Sequence, residues 1–281
     1  MDKQQVKKIE LGTFIGLTMA LCATVRSIPT LAAVGWTLIS YTIFAVLFFA
    51  GPIALISGEL STMLPQEGGP QLWVKTALGS KWGFVVAWLL WVQMFPGMVM
   101  VASTLGPLLG NTFGNVHLGE NHWFVLGCIL VIYWIITILN LKFDMAKVGG
   151  NIGVWLGVYI PVLVMFVLGL LSMIKVGLTP GGYLGAFSWS KVLPNLENMD
   201  TFKYLAGIAF IFVGIEMSSV YIPRLKDATK NYTKGVFISL IGLVLLNVIN
   251  AMFVANIVPN GKMELSNITQ PILLYCDVLG L

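Results

Sequence analysis

The chain has 281 residues, of which 57% are apolar and only 10% charged, with a mean hydropathy of +0.88. Soluble domains carry about 25% charged residues, and 16 basic plus 12 acidic side chains cannot cover a water-facing surface of this size. A soluble enzyme, a disordered chain and a disulfide-stapled secreted module are excluded; this is an integral membrane protein.

The basic start MDKQQVKK leads into a long apolar segment without a small-residue cleavage pattern, so it reads as the entry to a first span. A bilayer core about 30 Å thick needs roughly 20 helical residues. Seven segments meet that length: about Leu11–Val34, Ser40–Met63, Trp82–Leu109, Trp123–Leu141, Gly150–Ile174, Thr201–Ile222 and Gly235–Val258. Thr269–Leu281 is too short to cross and reads as the start of an eighth helix. The alternating pattern of a membrane β-barrel is absent. Pro52, Pro96 and Pro161 lie inside spans and read as kinks.

Eleven Lys and Arg residues fall on connections on the N-terminal side, from Lys3, Lys7 and Lys8 through Lys75, Lys81, Lys142 and Lys147 to Arg224, Lys226, Lys230 and Lys234. Four fall opposite, at Lys175, Lys191, Lys203 and Lys262. The positive-inside rule puts the N-terminus in the cytoplasm. A seven-span receptor needs it outside, so the bias counts against that class.

Ionisable groups within spans are costly and mark function by default. Three occur: Arg26, Glu59 and Glu216, with Gln93, Asn247 and Asn250 adding uncharged polarity. Glu59 lies near a span end and reads as an interfacial carboxylate pairing a cytoplasmic cation. On straight helices Arg26 and Glu216 each lie about 21 Å from opposite faces, an offset of about 12 Å. Boundary shifts of a few residues leave their direct pairing open. Both sit among helix-weakening residues, TMALCATVRSIP and FIFVGIEMSSVYIP. Two broken helices in corresponding halves of a chain point to a transporter site. Small residues at packed interfaces give the same pattern.

After the second span, LPQEGGPQLWVKTALGSKWGF resembles the cytoplasmic Pro-x-x-Gly-Gly-x-x-x-Trp loop of the amino acid–polyamine–organocation (APC) superfamily, at Pro65, Gly68, Gly69, Trp73, Gly79 and Gly83. In the sixth span FVGIEMSS resembles that family's Gly-Val-Glu-Ser segment, and PRLKDATKNYTKGV its following Asn-Pro-x-Arg-x-x-Pro stretch. The similarity runs from about Ile9 to the end, nearest to the bacterial glutamate/GABA antiporter branch. It implies an all-α polytopic membrane protein: the first seven helices, plus part of an eighth, of a five-plus-five inverted-repeat transporter fold. On that reading residues 1–281 form one transmembrane domain, with 1–175 the first five-helix repeat and 201–281 an incomplete second.

The resemblance also implies a site. Its unwound Gly-Ser-Gly falls on Cys22, Ala23 and Thr24; its closing aromatic falls on Phe210; its sixth-helix carboxylate, linked to proton sensing, falls on Glu216, two residues after Gly214. Departures accompany these matches. Cys-Ala-Thr gives the backbone less freedom than Gly-Ser-Gly. Arg26 replaces an aromatic or apolar position and reads as a clamp for an acidic substrate or a group facing an outer vestibule. Arg224 and Ala228 replace an acidic residue and a proline. Relatives are nearly twice as long, which implies a truncated frame or one half of a split gene.

The implied function is secondary active amino acid transport, an antiporter of glutamate/GABA type in a bacterial inner membrane, with a truncated or split-gene remnant lacking autonomous transport as the alternative. The partners implied are a small amino acid substrate, the lipid bilayer, and a homo-oligomer or a complementary C-terminal half; no nucleic acid is implied. No cofactor, metal or catalytic motif is expected. Cys22, Cys128 and Cys276 are too scattered for a disulfide framework. His117 and His122 read as an exposed loop pair rather than a metal site, Met94, Met98 and Met100 as packing.

Overall fold

The computed structural model describes residues 8–22, 25–143, 148, 152–179, 181–194, 202–263 and 268–281. Among these residues the chain is helical, with two isolated bridges, Ile9 to Leu225 and Gly182 to Pro259, and no longer strand. Six helices are long and apolar enough to cross a membrane: Thr37–Met63, Ser80–Val99, His122–Lys142, Trp155–Val176, Tyr204–Arg224 and Ala228–Ile257. Leu11–Cys22 is a shorter apolar helix. The chain is a multi-pass, all-α membrane protein.

The first expected span is not continuous. It forms two half-helices, Leu11–Cys22 and Ser27–Ala32. Pro29 explains the restart: it has no N–H and its ring clashes with the carbonyl four residues back, so a helix cannot run through it from Val25. In the first turn of a new helix the missing donor does no harm. Pro107 acts the same way in the third span, where the helix from Ser80 ends at Ala102 and a new one, Leu105–Thr112, begins.

The sixth span changes character midway. Phe202–Phe210 is α-helical, and Ile215–Arg224 is a 3₁₀ helix of 10 residues. Such tight runs seldom exceed three or four residues, and long ones mark hinges or strain. Pro52 and Pro161, read from sequence as kinks, instead follow widened π turns at Val46–Ala50 and Trp155–Tyr159. Gly51 donates its N–H to Val46, and Ile160 to Trp155, each skipping one carbonyl. The following proline cannot supply the missing donor, so the Leu47 and Leu156 carbonyls lose both nearest helical partners. The seventh helix starts at Ala228, a turn and more before the apolar run that marks it in the sequence.

The described residues form two compact units, 1–69 with 149–281, and 70–148. In the first, the seventh-span helix Ala228–Ile257 is the central column. Small residues let its neighbours approach: a Cβ at Gly235 would lie 2.6 Å from the Phe14 ring, one at Gly58 2.7 Å from the Thr233 hydroxyl, and one at Gly169 2.7 Å from Phe253. Phe14, Phe212, Ile215, Tyr232, Val236 and Leu243 are fully buried there. In the second unit, Asn121 caps His122–Lys142 by accepting the N–H groups of Trp123 and Phe124 at 3.0 and 3.3 Å. His117 lies in the short helix Val116–Glu120, just before that cap.

Candidate functional site

The interruptions of the first and sixth spans lie side by side. A Cβ added to Gly214 would sit 3.7 Å from the Leu21 carbonyl oxygen and 3.8 Å from Cys22 Sγ. The sixth-span bend is therefore seated on the carbonyl end of Leu11–Cys22. Gly214 has φ +103°, a conformation that only glycine adopts without strain. Across the bend the backbone closes i to i−3 bonds, from Ile211 to Ile208, Phe212 to Ala209, Val213 to Phe210 and Ile215 to Phe212, at 3.1–3.3 Å. The break is thus a tightened turn rather than an open loop.

Glu216 is half-buried in the first turn of the 3₁₀ helix. Its Oε2 accepts the backbone N–H of Gly214 at 3.1 Å. A carboxylate there meets a donor left orphaned at a helix start and the positive end of the helix dipole. The carbonyl end of Leu11–Cys22 carries the negative end of that helix's dipole. Acceptor oxygens and a carboxylate are thereby brought to one neighbourhood, an arrangement suited to an ammonium or another cation.

Of the other residues expected at the site, Cys22 is buried and closes the first half-helix, and Arg26 is half-buried in the turn that leads into Ser27. Phe210 ends the sixth-span α-helix and is exposed. Ala23 and Thr24 lie outside the described residues. Glu59 is exposed. Among the described residues no group of three His, Cys, Asp or Glu side chains could hold a metal.

Sequence reasoning missed the layer beneath. Ser219 donates to the Glu216 carbonyl at 2.6 Å and Ser218 to the Ile215 carbonyl at 2.7 Å. The Ser218 and Tyr232 hydroxyls are 3.3 Å apart, and the Tyr232 ring packs 5.4 Å from that of Phe14. One buried tyrosine of the seventh span thus touches both interrupted helices. The signal was Tyr232 itself, hidden because its segment reads as a connection.

A second missed feature is a backbone clip. Ile9 donates its N–H to the Arg224 carbonyl at 2.7 Å, and Lys226 donates to the Ile9 carbonyl at 3.0 Å. Lys8 Nζ reaches the Pro223 carbonyl at 3.0 Å and Lys226 pairs with Glu10 at 3.3 Å. The start of the first half-helix is tied to the end of the 3₁₀ helix. Toward the other end of the site, the Ser27 hydroxyl makes a long 3.5 Å contact with Asn247 Oδ1, and Asn247 Nδ2 donates to Leu243 at 2.8 Å.

The family model described as amino acid permease matches residues 9–280. An uncharacterized transporter of Legionella pneumophila is 28% identical over 263 residues, covering 92% of this chain and 54% of that protein. A protein of Lactococcus lactis named as a probable agmatine/putrescine antiporter is 23% identical over 265 residues, 92% of this chain and 54% of its own length. An aspartate/glutamate permease of Lactococcus lactis subsp. cremoris is 26% identical over 223 residues, 73% of this chain and 42% of its own. The chain spans about half the length of the curated relatives it matches. These relatives are named as transporters, permeases and antiporters, not as enzymes.

Proposed function

The chain belongs to the amino acid permease family, and from that premise we propose that it carries the substrate site of a secondary active amino acid transporter, an exchanger of glutamate/GABA type. The observation that supports this most is Gly214 seated on Leu21 and Cys22, which brings two interrupted helices to one point beside Glu216. The substrate lies against Cys22, Ala23, Thr24 and Gly214. Its ammonium faces the carbonyl end of Leu11–Cys22 and the Glu216 carboxylate, and its acidic end faces Arg26. Phe210 closes over it, and protonation of Glu216 couples the site to pH.

On this reading residues 1–175 form one five-helix repeat and residues 201–281 belong to its inverted counterpart. The protein sits in a bacterial inner membrane with its N-terminus in the cytoplasm, as the basic connections favour. The test is exchange: uptake of labelled glutamate by proteoliposomes loaded with GABA, against empty ones, at pH 5.5 and 7.5. Uptake driven by internal GABA supports the assignment. Its absence in protein that is folded and correctly inserted overturns glutamate/GABA exchange by this chain.

A specific observation favours a second reading, an amine substrate. The carbonyl end of Leu11–Cys22 and the Glu216 carboxylate lie beside the same bend, which suits a cation lacking a carboxylate. A protein of Arabidopsis thaliana named as a probable polyamine transporter is 30% identical over 194 residues, 64% of this chain. Exchange of labelled putrescine without glutamate exchange would select it.

A further inference from the structure

The Gly-Gly pair that follows the second span is seated on the sixth. Gly68 and Gly69 have φ of +135° and +51°, backbone that glycine adopts most readily. Gly69 is buried. A Cβ on it would overlap the Ser219 hydroxyl, while the next nearest atoms, Ser219 Cβ and Val220 Cγ1, would each be 3.6 Å away. One hydroxyl thus sets how closely the connection approaches the 3₁₀ helix Ile215–Arg224. The same hydroxyl donates to the Glu216 carbonyl at 2.6 Å. We propose that Ser219 is a positioning residue for Glu216, held in that role by Gly69; this rests on Glu216 standing at the substrate site.

The constraint passes through few atoms. Hydrogen bonds of a 3₁₀ helix have poorer geometry than those of an α-helix, and a serine bonding back onto the preceding turn fixes a local bend. With the Glu216 carbonyl held by Ser219, the peptide after Glu216 keeps its plane and the Glu216 side chain keeps its direction. Its carboxylate then meets the Gly214 N–H at 3.1 Å. Glu216 is held at both ends, by Gly214 at the carboxylate and by Ser219 at the carbonyl. Gly69 packs against the Ser219 hydroxyl and keeps it off its other staggered positions. Ser218 does not duplicate this bond. It donates to the Ile215 carbonyl at 2.7 Å and lies 3.3 Å from the Tyr232 hydroxyl. The Gly-Gly pair thereby gains a task at the site: its lack of a Cβ leaves Ser219 in place.

The test reads hydrogen exchange at the Gly214 amide in the full 281-residue chain in vesicles, because its bond to Glu216 is what Ser219 preserves. Ser219→Ala removes the donor, and Gly69→Ala puts a methyl where the hydroxyl lies. Each speeds Gly214 exchange about fivefold, the effect of losing one hydrogen bond. The double variant stays near that value, since the methyl at residue 69 then meets nothing closer than 3.6 Å. The Gly177 amide, bonded to the Met173 carbonyl at 2.8 Å, is unchanged in all three. Gly79→Ala, at φ +92° with nothing within 4 Å, brings backbone strain without a collision and leaves Gly214 unchanged. The KM for exchange of labelled glutamate or putrescine rises about fivefold in the same three variants, with the maximal rate held within about twofold. Gly214 exchange indifferent to Ser219→Ala, effects that multiply to about 25-fold in the double variant, or equal acceleration at Gly177 overturns the proposal. An unmoved KM beside an accelerated Gly214 amide also overturns it and leaves Ser219 a structural brace. If the unsubstituted chain exchanges neither compound, the transport reading fails, while the Gly214 amide still decides whether Ser219 positions Glu216.

Discussion

The Glu216 carboxylate holds the backbone N–H of Gly214, two residues before it, at 3.1 Å. One side chain therefore finishes the sixth-span bend. A carboxylate so used couples the local backbone to its own protonation state: the protonated acid is a weaker acceptor, so the bond that closes the bend slackens when a proton arrives.

This relationship predicts different outcomes for two substitutions. Glu216→Gln keeps an acceptor oxygen but removes the titratable group. It should lower thermal stability less than Glu216→Ala does, since a neutral acceptor keeps a weaker bond, while abolishing any dependence of exchange on pH between 5.5 and 7.5. Glu216→Ala removes the acceptor and should lower stability by about 1 kcal/mol, as for a lost helix cap. Melting of both variants in detergent, beside exchange at two pH values, separates the roles. A pH profile that Glu216→Gln leaves unaltered removes the proton-sensing role.

Gly214 gives a sharper test of the bend. A methyl there meets nothing closer than 3.7 Å, so space is ample. The φ of +103° is the obstacle, and Gly214→Ala should destabilise by roughly 1–3 kcal/mol through backbone strain alone. Gly12→Ala, in a helix and with nothing within 4 Å, should be neutral or stabilising by up to about 1 kcal/mol. Parallel chemical denaturation of the two variants checks the contrast; equal effects would mean that the bend is not held at this φ.

How much of this was legible follows from what each residue can announce. Pro29 and Gly214 advertise the interruptions, because one lacks a donor and the other alone tolerates positive φ. Pro52 and Pro161 advertised a disturbance but not its kind: a kink and a π turn differ in which carbonyl a preceding N–H chooses, and no side chain records that. The early start of the seventh helix was masked by ATKNYTK, polar enough to pass for a loop yet helical where the chain leaves the apolar layer. The clip between Ile9 and Leu225 was invisible, since it is made by main-chain groups that every residue carries. Tyr232 was missed because its two partners are distant in sequence.

The seventh span should be least tolerant where it touches the first. Gly235 faces Phe14 with no room for a Cβ, at 2.6 Å from the ring. Gly235→Val should push Phe14 off Tyr232 and cost about 1–3 kcal/mol by overpacking. Phe14→Leu in the same chain should restore part of the loss, because it removes the ring the new side chain strikes. A double-mutant cycle on unfolding free energies measures the coupling. Strict additivity would show that the contact between Gly235 and Phe14 does not limit packing.

The backbone clip makes the last prediction, and it turns on separating main chain from charge. Lys226 and Glu10 are both largely exposed, at 58% and 74%, and exposed ion pairs contribute little. Glu10→Gln should therefore leave the clip closed. Ile9→Pro deletes the N–H that reaches the Arg224 carbonyl at 2.7 Å and should open it, since no side chain replaces that donor. The readout is hydrogen exchange at the Lys226 amide, which donates to the Ile9 carbonyl at 3.0 Å. Opening a bond with a net value of about 1 kcal/mol raises the exchange rate about fivefold. If Glu10→Gln speeds exchange as much as Ile9→Pro does, charge rather than the main chain holds the two half-helices together at this end.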